Sequence, residues 1–170
     1  MAKLTSTSKQ ESTKKSKKIT KISENLSYKE ATHSDTAKKL GIKNDPTEDH
    51  LVNMMLIADK VFQPLRDWCD HPIRINSMYR SYDLNKAIGG AQSSQHSKGQ
   101  ALDLDSLGEK TNSDLFNYIS EHLSYDQLIW EAGDDKNPDW IHVSYINEEK
   151  NRKQRLKMVR RGTSKRYYTF

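Results

Sequence analysis

Apolar residues recur at helical spacing in two long stretches of the chain. Between residues 45 and 70, seven apolar side chains follow a period of 3.6 residues, and Pro46 suits a first helical turn. Pro64 lies inside this stretch and predicts a kink or a break there. Residues 113–123 repeat the pattern and predict a second amphipathic helix. Shorter helices are expected at 34–40 and 81–88, each closed by glycine.

Alternation of apolar and polar residues predicts several short strands. They are expected at residues 73–77, 101–104, 126–131 and 140–146. The segment after Arg152 can add an edge strand through Leu156, Met158 and Val159. Helices combined with short, mostly antiparallel strands predict a single small α+β domain.

Charge divides the chain into three blocks. Residues 1–24 contain seven Lys and two Glu, residues 25–149 contain 12 Lys or Arg and 21 Asp or Glu, and residues 150–170 contain nine Lys or Arg and no acid. The first block has few apolar residues, so we predict a flexible basic arm over 1–24, a folded domain over 25–150 and a basic tail over 151–170. Such basic ends suit an anionic polymer or an assembly partner.

Other features of the sequence exclude several classes of protein. No stretch approaches the ~18–20 apolar residues that cross a membrane. The first residues lack the apolar run of a secretory signal, so we expect synthesis in a cytoplasm. The single cysteine, Cys69, excludes an internal disulfide and a multi-cysteine zinc site.

His96 and Asp103 are the first candidates for a metal site. His96 lies in a polar loop, Gly99 permits a sharp turn, and Asp103 follows on a predicted strand between Leu102 and Leu104. A carboxylate in an otherwise apolar strand needs a partner, because burying it unpaired is costly. A bound cation is one such partner.

His142 is the third candidate. It alternates with Ile141 and Val143, so its imidazole is expected on the polar face of a strand. Two His and one Asp leave a fourth tetrahedral position for water, as in catalytic zinc sites. On spacing alone, ordinary structural histidines remain an equally open interpretation.

A longer set of motifs resembles the M15 metallopeptidase family. The matching residues are Ser77-Met78-Tyr79-Arg80-Ser81, Ser93-Ser94-Gln95-His96, Gly99-Gln100-Ala101-Leu102-Asp103 and Trp140-Ile141-His142-Val143-Ser144. Met78 departs from the family, which often has glycine there, and is expected to narrow the pocket. The resemblance covers about residues 73–146.

The resemblance implies a role for each matching residue. His96, Asp103 and His142 would hold one Zn²⁺ per chain, and Asp139 would be the catalytic carboxylate. Arg80 would face the substrate carbonyl or the developing oxyanion. Ser94, two residues before the first ligand, would contact the substrate. Apart from the resemblance, Asp105 lies on the same predicted strand face as Asp103 and is a candidate to orient a metal ligand; a solvated turn carboxylate is an equally open interpretation.

The implied activity is hydrolysis of peptidoglycan stem peptides next to a D-amino acid. A phage-type endolysin or a virion-associated lysin, acting at the cell wall as a monomer, fits the small size and basic ends. The alternative is a non-catalytic structural or wall-binding virion protein on the same fold.

Overall fold

The computed structural model describes residues 19–170, which form an α+β domain. The helices are α1 (Tyr28–Ala31), α2 (Asp35–Leu40), α3 (Glu48–Ile57), α4 (Gln63–Cys69), α5 (Tyr82–Ala87) and α6 (Asn112–His122). The strands are β1 (Lys21–Ser23), β2 (Leu26–Ser27), β3 (Ile73–Ser77), β4 (Ala101–Ser106), β5 (Gln127–Glu131), β6 (Trp140–Ser144), β7 (Gln154–Arg161) and β8 (Ser164–Thr169). The predicted fold class is confirmed.

One six-stranded sheet organises the domain, in the order β3-β4-β6-β5-β7-β8. Neighbouring strands are antiparallel except β5 and β7, which are parallel. The predicted extra strand near Leu156 is therefore β7, but it lies inside the sheet because β8 takes the edge.

The pleat gives the central strands two different faces. One face packs against helices α3, α4 and α6 through side chains that are at most 5% exposed, namely Leu102, Leu104, Leu128, Trp130, Ile141 and Val143. Alternate residues of the same strands point to the opposite face. Polar side chains on β4 and β6 are thereby kept out of the apolar core.

The long helical stretch around Pro64 continues through a local widening. A π-helical segment, Ala58–Phe62, joins α3 to α4, and the N–H of Gln63 bonds to the carbonyl of Ala58. Pro64 has no N–H and its ring crowds the preceding turn, so the wider turn accommodates it. The predicted break is a bulge within a continuous helical run.

The predicted N-terminal arm is only partly within the described residues. Residues 1–18 lie outside them. Lys21–Ser23, however, forms strand β1, and Ile22 is buried against the core. The folded domain thus includes residues before residue 25, because the apolar side chain of Ile22 packs into the core although the surrounding segment is basic. Within residues 19–170, no helix is long and apolar enough to span a membrane.

Gly99 fixes the turn that carries His96 against α3. Its φ is +70°, and a Cβ there would lie 2.5 Å from the carbonyl oxygen of His50. Asn53 on α3 also donates to the carbonyl of Lys98 (2.8 Å). This segment can approach α3 so closely only because residue 99 has no side chain.

Substituting Gly99 with Ala should destabilise the protein more than the same change at Gly41. Gly41 also has a positive φ, of +66°, but open space around its Cβ position. We expect Gly41→Ala to cost about 1 kcal/mol from backbone strain alone, and Gly99→Ala roughly 3 kcal/mol because a clash is added. Urea denaturation followed by circular dichroism measures both. Equal losses would contradict the close approach.

Candidate metal centre

Three side chains converge on the polar face of the sheet. Asp103 on β4 lies directly opposite His142 on β6, and His96 reaches them from a single 3₁₀ turn, Gln95–Lys98. His142 Nδ1 is 2.9 Å from Asp103 Oδ1, and His96 Nε2 is 3.3 Å from both His142 Nδ1 and Asp103 Oδ2. One ligand atom from each residue lies within 4.8 Å of the others. The structure thus brings the three predicted ligands together.

The orientation of His96 is set by a backbone carbonyl. Its Nδ1 is 2.8 Å from the carbonyl oxygen of Met78, to which it donates. Nε2 therefore carries the free lone pair toward Asp103 and His142. His96 is only 2% exposed, so this ring is held in one position.

The side chain of Met78 does not narrow the pocket, contrary to the prediction. It is 1% exposed and packs into the apolar core. Only its backbone serves the site, through the bond to His96.

The electrostatics of the cluster favour an ionised Asp103 carboxylate and a neutral His96 imidazole. Burial opposes ionisation of Asp103, but the charges and hydrogen bonds of His96 and His142 outweigh it and hold the pKa of Asp103 well below its usual range. Burial lowers the pKa of His96, although Asp103 works against this shift. Metal ligands need this combination of protonation states.

The donor set fits a tetrahedral divalent ion. Atoms that lie ~2.0–2.1 Å from such an ion at tetrahedral angles are about 3.3 Å from one another. The spacings of His96 Nε2 to His142 Nδ1 and to Asp103 Oδ2 are both 3.3 Å. Two imidazoles and one carboxylate are also a common donor set for transition metals. The cluster can therefore hold a metal ion.

The cluster lies in an open cleft of about 1040 Å³. Arg80 and Ser94, both predicted to meet substrate, line this cleft, and so does Trp140. The Arg80 guanidinium is 19% exposed, with Nη2 3.6 Å from Asp103 Oδ2. Its Nε is buried and has no hydrogen-bond partner within residues 19–170. Arg80 therefore keeps donor capacity beside the ligands.

Asp139 precedes β6 directly, but its exposed carboxylate lies outside this cleft. Its N–H donates to the carbonyl of Glu131 (3.0 Å), and it lines a separate depression with Lys157 and Arg160. Residues three apart face opposite sides of a sheet when strand pairing continues, so Asp139 faces away from His142. The structure does not bring Asp139 to the ligands, and its catalytic role stays a prediction.

A carboxylate that the sequence analysis missed, Glu131, occupies the cleft instead. Glu131 is opposite Trp140 and Ile129 is opposite His142, so Glu131 shares the face of the ligands. Its side chain is buried, and Oε2 has no hydrogen-bond partner among the residues described. Burial raises the pKa of Glu131, and Asp103 adds to this effect while His142 opposes it.

The sequence does contain a signal that Glu131 has a special role. Glu131 ends the apolar run Leu128-Ile129-Trp130, and a carboxylate buried there is costly unless it has a partner or a function. The same reasoning singles out Asp103 on β4. The sequence does not show the pairing of β5 with β6, which places Glu131 on the same face of the sheet as His142.

Asp105 supports the chain ahead of β6 and bonds to none of the three ligands. Its carboxylate accepts hydrogen bonds from Arg74 and from Asn112 Nδ2 (3.1 Å). Asn112 Nδ2 in turn donates to the carbonyls of Pro138 (3.2 Å) and Asp139 (3.1 Å). Through Asn112, Asp105 therefore helps to hold the loop before β6 in place. The expected hydrogen bond between Asp105 and a metal ligand is absent from the described part of the chain.

A family model matches most of this chain. The model of the family described as Peptidase M15 matches residues 24–144, a stretch that contains His96, Asp103, His142 and Glu131. No curated protein matches the sequence. Strands β7 and β8 lie beyond the matched stretch.

Replacing a ligand should remove bound metal, whereas replacing Asp105 should not. We expect wild-type protein and Asp105→Asn to retain one divalent ion per chain after dialysis, because Asp105 contacts no ligand. Asp103→Ala and His142→Ala should retain little or none. Elemental analysis measures the content, and circular dichroism controls for folding. Metal retained by both alanine variants would exclude this centre.

Proposed function

The chain belongs to the peptidase M15 family, and we propose that it is a zinc-dependent peptidase that hydrolyses peptidoglycan stem peptides next to a D-amino acid. The observation that carries this proposal is the convergence of His96, Asp103 and His142 at an open cleft. The family and the donor set both support zinc as the ion.

Each group in the cleft has a defined task in peptide hydrolysis. Zinc, when held by the three ligands, supplies Lewis-acid polarisation of a carbonyl and acidifies water. Glu131 takes a proton from the attacking water and returns it to the amine as the C–N bond breaks. Arg80 places positive charge beside the oxygen on which negative charge develops.

The position of Glu131 suits a general base better than that of Asp139. Its carboxylate is buried on the ligand face with one oxygen unpaired, whereas that of Asp139 is exposed to a different depression. A base must lie within hydrogen-bond reach of the water it activates, so position takes precedence over motif spacing.

The biological setting that we propose is bacterial cell-wall cleavage by a phage-type endolysin or a virion-associated lysin. The basic charge of residues 150–170 supports contact with an anionic wall polymer or an assembly partner. The cleft has room for a peptide segment, which favours an endopeptidase.

Purified sacculi should gain new amino termini when incubated with the zinc-loaded protein. We expect release to stop with a chelator and to return with added zinc, because the ligands hold the only Lewis acid in the mechanism. Labelling of free amino groups followed by mass spectrometry measures the bond cut. Binding to sacculi without release, with zinc present, would instead favour a non-catalytic wall-binding protein.

Glu131→Gln should lower kcat by about 10²–10⁴-fold, since the amide cannot accept the water proton. Asp139→Asn is the matched control and should remain close to wild type. Both variants should keep their zinc, as measured by elemental analysis. Loss of activity in Asp139→Asn alone would return the role of general base to Asp139.

A further inference from the structure

The hairpin β7–β8 forms a wall of the cleft that the family match does not include. The match ends at residue 144, whereas Gln154–Arg161 and Ser164–Thr169 follow it. β7 pairs with β5, the strand that ends in Glu131. The side chains Leu156, Lys165 and Tyr167 line the cleft together with the metal ligands. Part of the substrate surface is therefore supplied by residues outside the family core.

The cleft contains four cationic side chains, and two of them are already paired. Arg80 lies against Asp103, and Arg152 makes a bidentate pair with Asp126 (2.8 and 2.6 Å). Within residues 19–170, Lys98 and Lys165 have no carboxylate within 4.0 Å. These two ammonium groups remain free to bind an anion.

Lys165 lines the cleft from β8 and acts on the proposed general base. Its charge acts on Glu131, where it opposes the burial that raises the pKa of that carboxyl. Tyr167 lies two residues further along β8, on the same face as Lys165. Burial raises the pKa of Tyr167, and the negative charges of Glu131 and Asp103 raise it further. Lys98 belongs instead to the turn beside β4.

The neighbouring cations of the hairpin are placed differently from Lys165 with respect to the cleft. Arg160 lies opposite Lys165 across the hairpin and its charge also acts on Glu131, but it lines the depression beside Asp139 and is not part of the cleft lining. Arg166 lies between Lys165 and Tyr167 on β8, so it faces the other side and is not part of the cleft lining. Among the cations of the hairpin β7–β8, only Lys165 lines the cleft.

We propose that Lys165 and Tyr167 form a subsite for a carboxylate of the substrate peptide, next to the scissile bond. This inference rests on the proposed peptidase function and adds specificity to it. The ammonium and the phenol both donate hydrogen bonds, and a carboxylate accepts several at once. The carboxylate can be the C-terminal group of the peptide or an internal side-chain group, and both share this chemistry.

Synthetic stem peptides can separate the two sources. The parent probe is L-Ala-γ-D-Glu-L-Lys-D-Ala-D-Ala. In one derivative the C-terminus is amidated, and in the other the free carboxyl of D-Glu is amidated. Wild-type protein, Lys165→Gln, Lys165→Arg and the matched control Arg166→Gln are each assayed for kcat and KM with zinc bound.

We expect Lys165→Gln to raise KM for the parent peptide by about tenfold, the size expected for loss of one charge-assisted hydrogen bond. kcat should change less than KM, because Lys165 does not touch the reacting atoms and acts on Glu131 only through its charge. Lys165→Arg should restore most of the affinity, and Arg166→Gln should behave as wild type. Amidation at the carboxylate that Lys165 binds should raise KM of the wild type and abolish the effect of Lys165→Gln.

Other outcomes would overturn the subsite. An unchanged KM in Lys165→Gln, or an equal rise in Arg166→Gln, would leave only nonspecific attraction by the basic tail. Titration calorimetry with the same peptides separates this failure from failure of the peptidase. If the peptides bind in a Lys165-dependent way but are not cleaved, the subsite stands and the peptidase proposal fails. If they are cleaved and Lys165→Gln has no effect, the peptidase proposal stands and the subsite fails.

Discussion

The direct pairing of Asp103 with His142 across β4 and β6 determines where every other part of the site can lie. A shift of β4 by one residue relative to β6 would turn Asp103 into the core and bring Leu102 to the cleft. That arrangement would bury a carboxylate among apolar side chains and expose aliphatic ones, which is costly on both counts. Core packing and metal ligation therefore select the same register.

The features that the sequence predicted well are local ones. Alternation around Asp103 and around His142 assigned each side chain to the polar face, because the pleat of a strand is set by its own backbone. The caps of α2 are equally local: Ser34 accepts from the N–H of Ala37, and Gly41 takes the left-handed conformation. Such positions depend on a few neighbouring residues, so composition and spacing are sufficient.

The features that it missed depend on contacts between distant segments. The family resemblance implies Asp139 as the catalytic carboxylate, which stays a prediction, whereas only the pairing of β5 with β6 reveals that Glu131 lies on the ligand face. Composition predicts that Ile22 belongs to a flexible basic arm, but its side chain is buried against the core. Composition cannot show that the folded core has room for this one apolar side chain. The insertion of β7 beside β5 likewise requires the assembled sheet.

The polar groups left unpaired in the cleft connect stability to activity. Arg80 Nε and Glu131 Oε2 are buried without partners among the described residues, and each such group typically costs about 1–3 kcal/mol. A structure selected only for stability would pair them. In the proposed reaction, a peptide and a water molecule in the cleft would supply the missing acceptor and donor. Under that proposal, Arg80 and Glu131 keep these hydrogen-bonding groups available for the substrate, at the position where the charge of the reaction would develop.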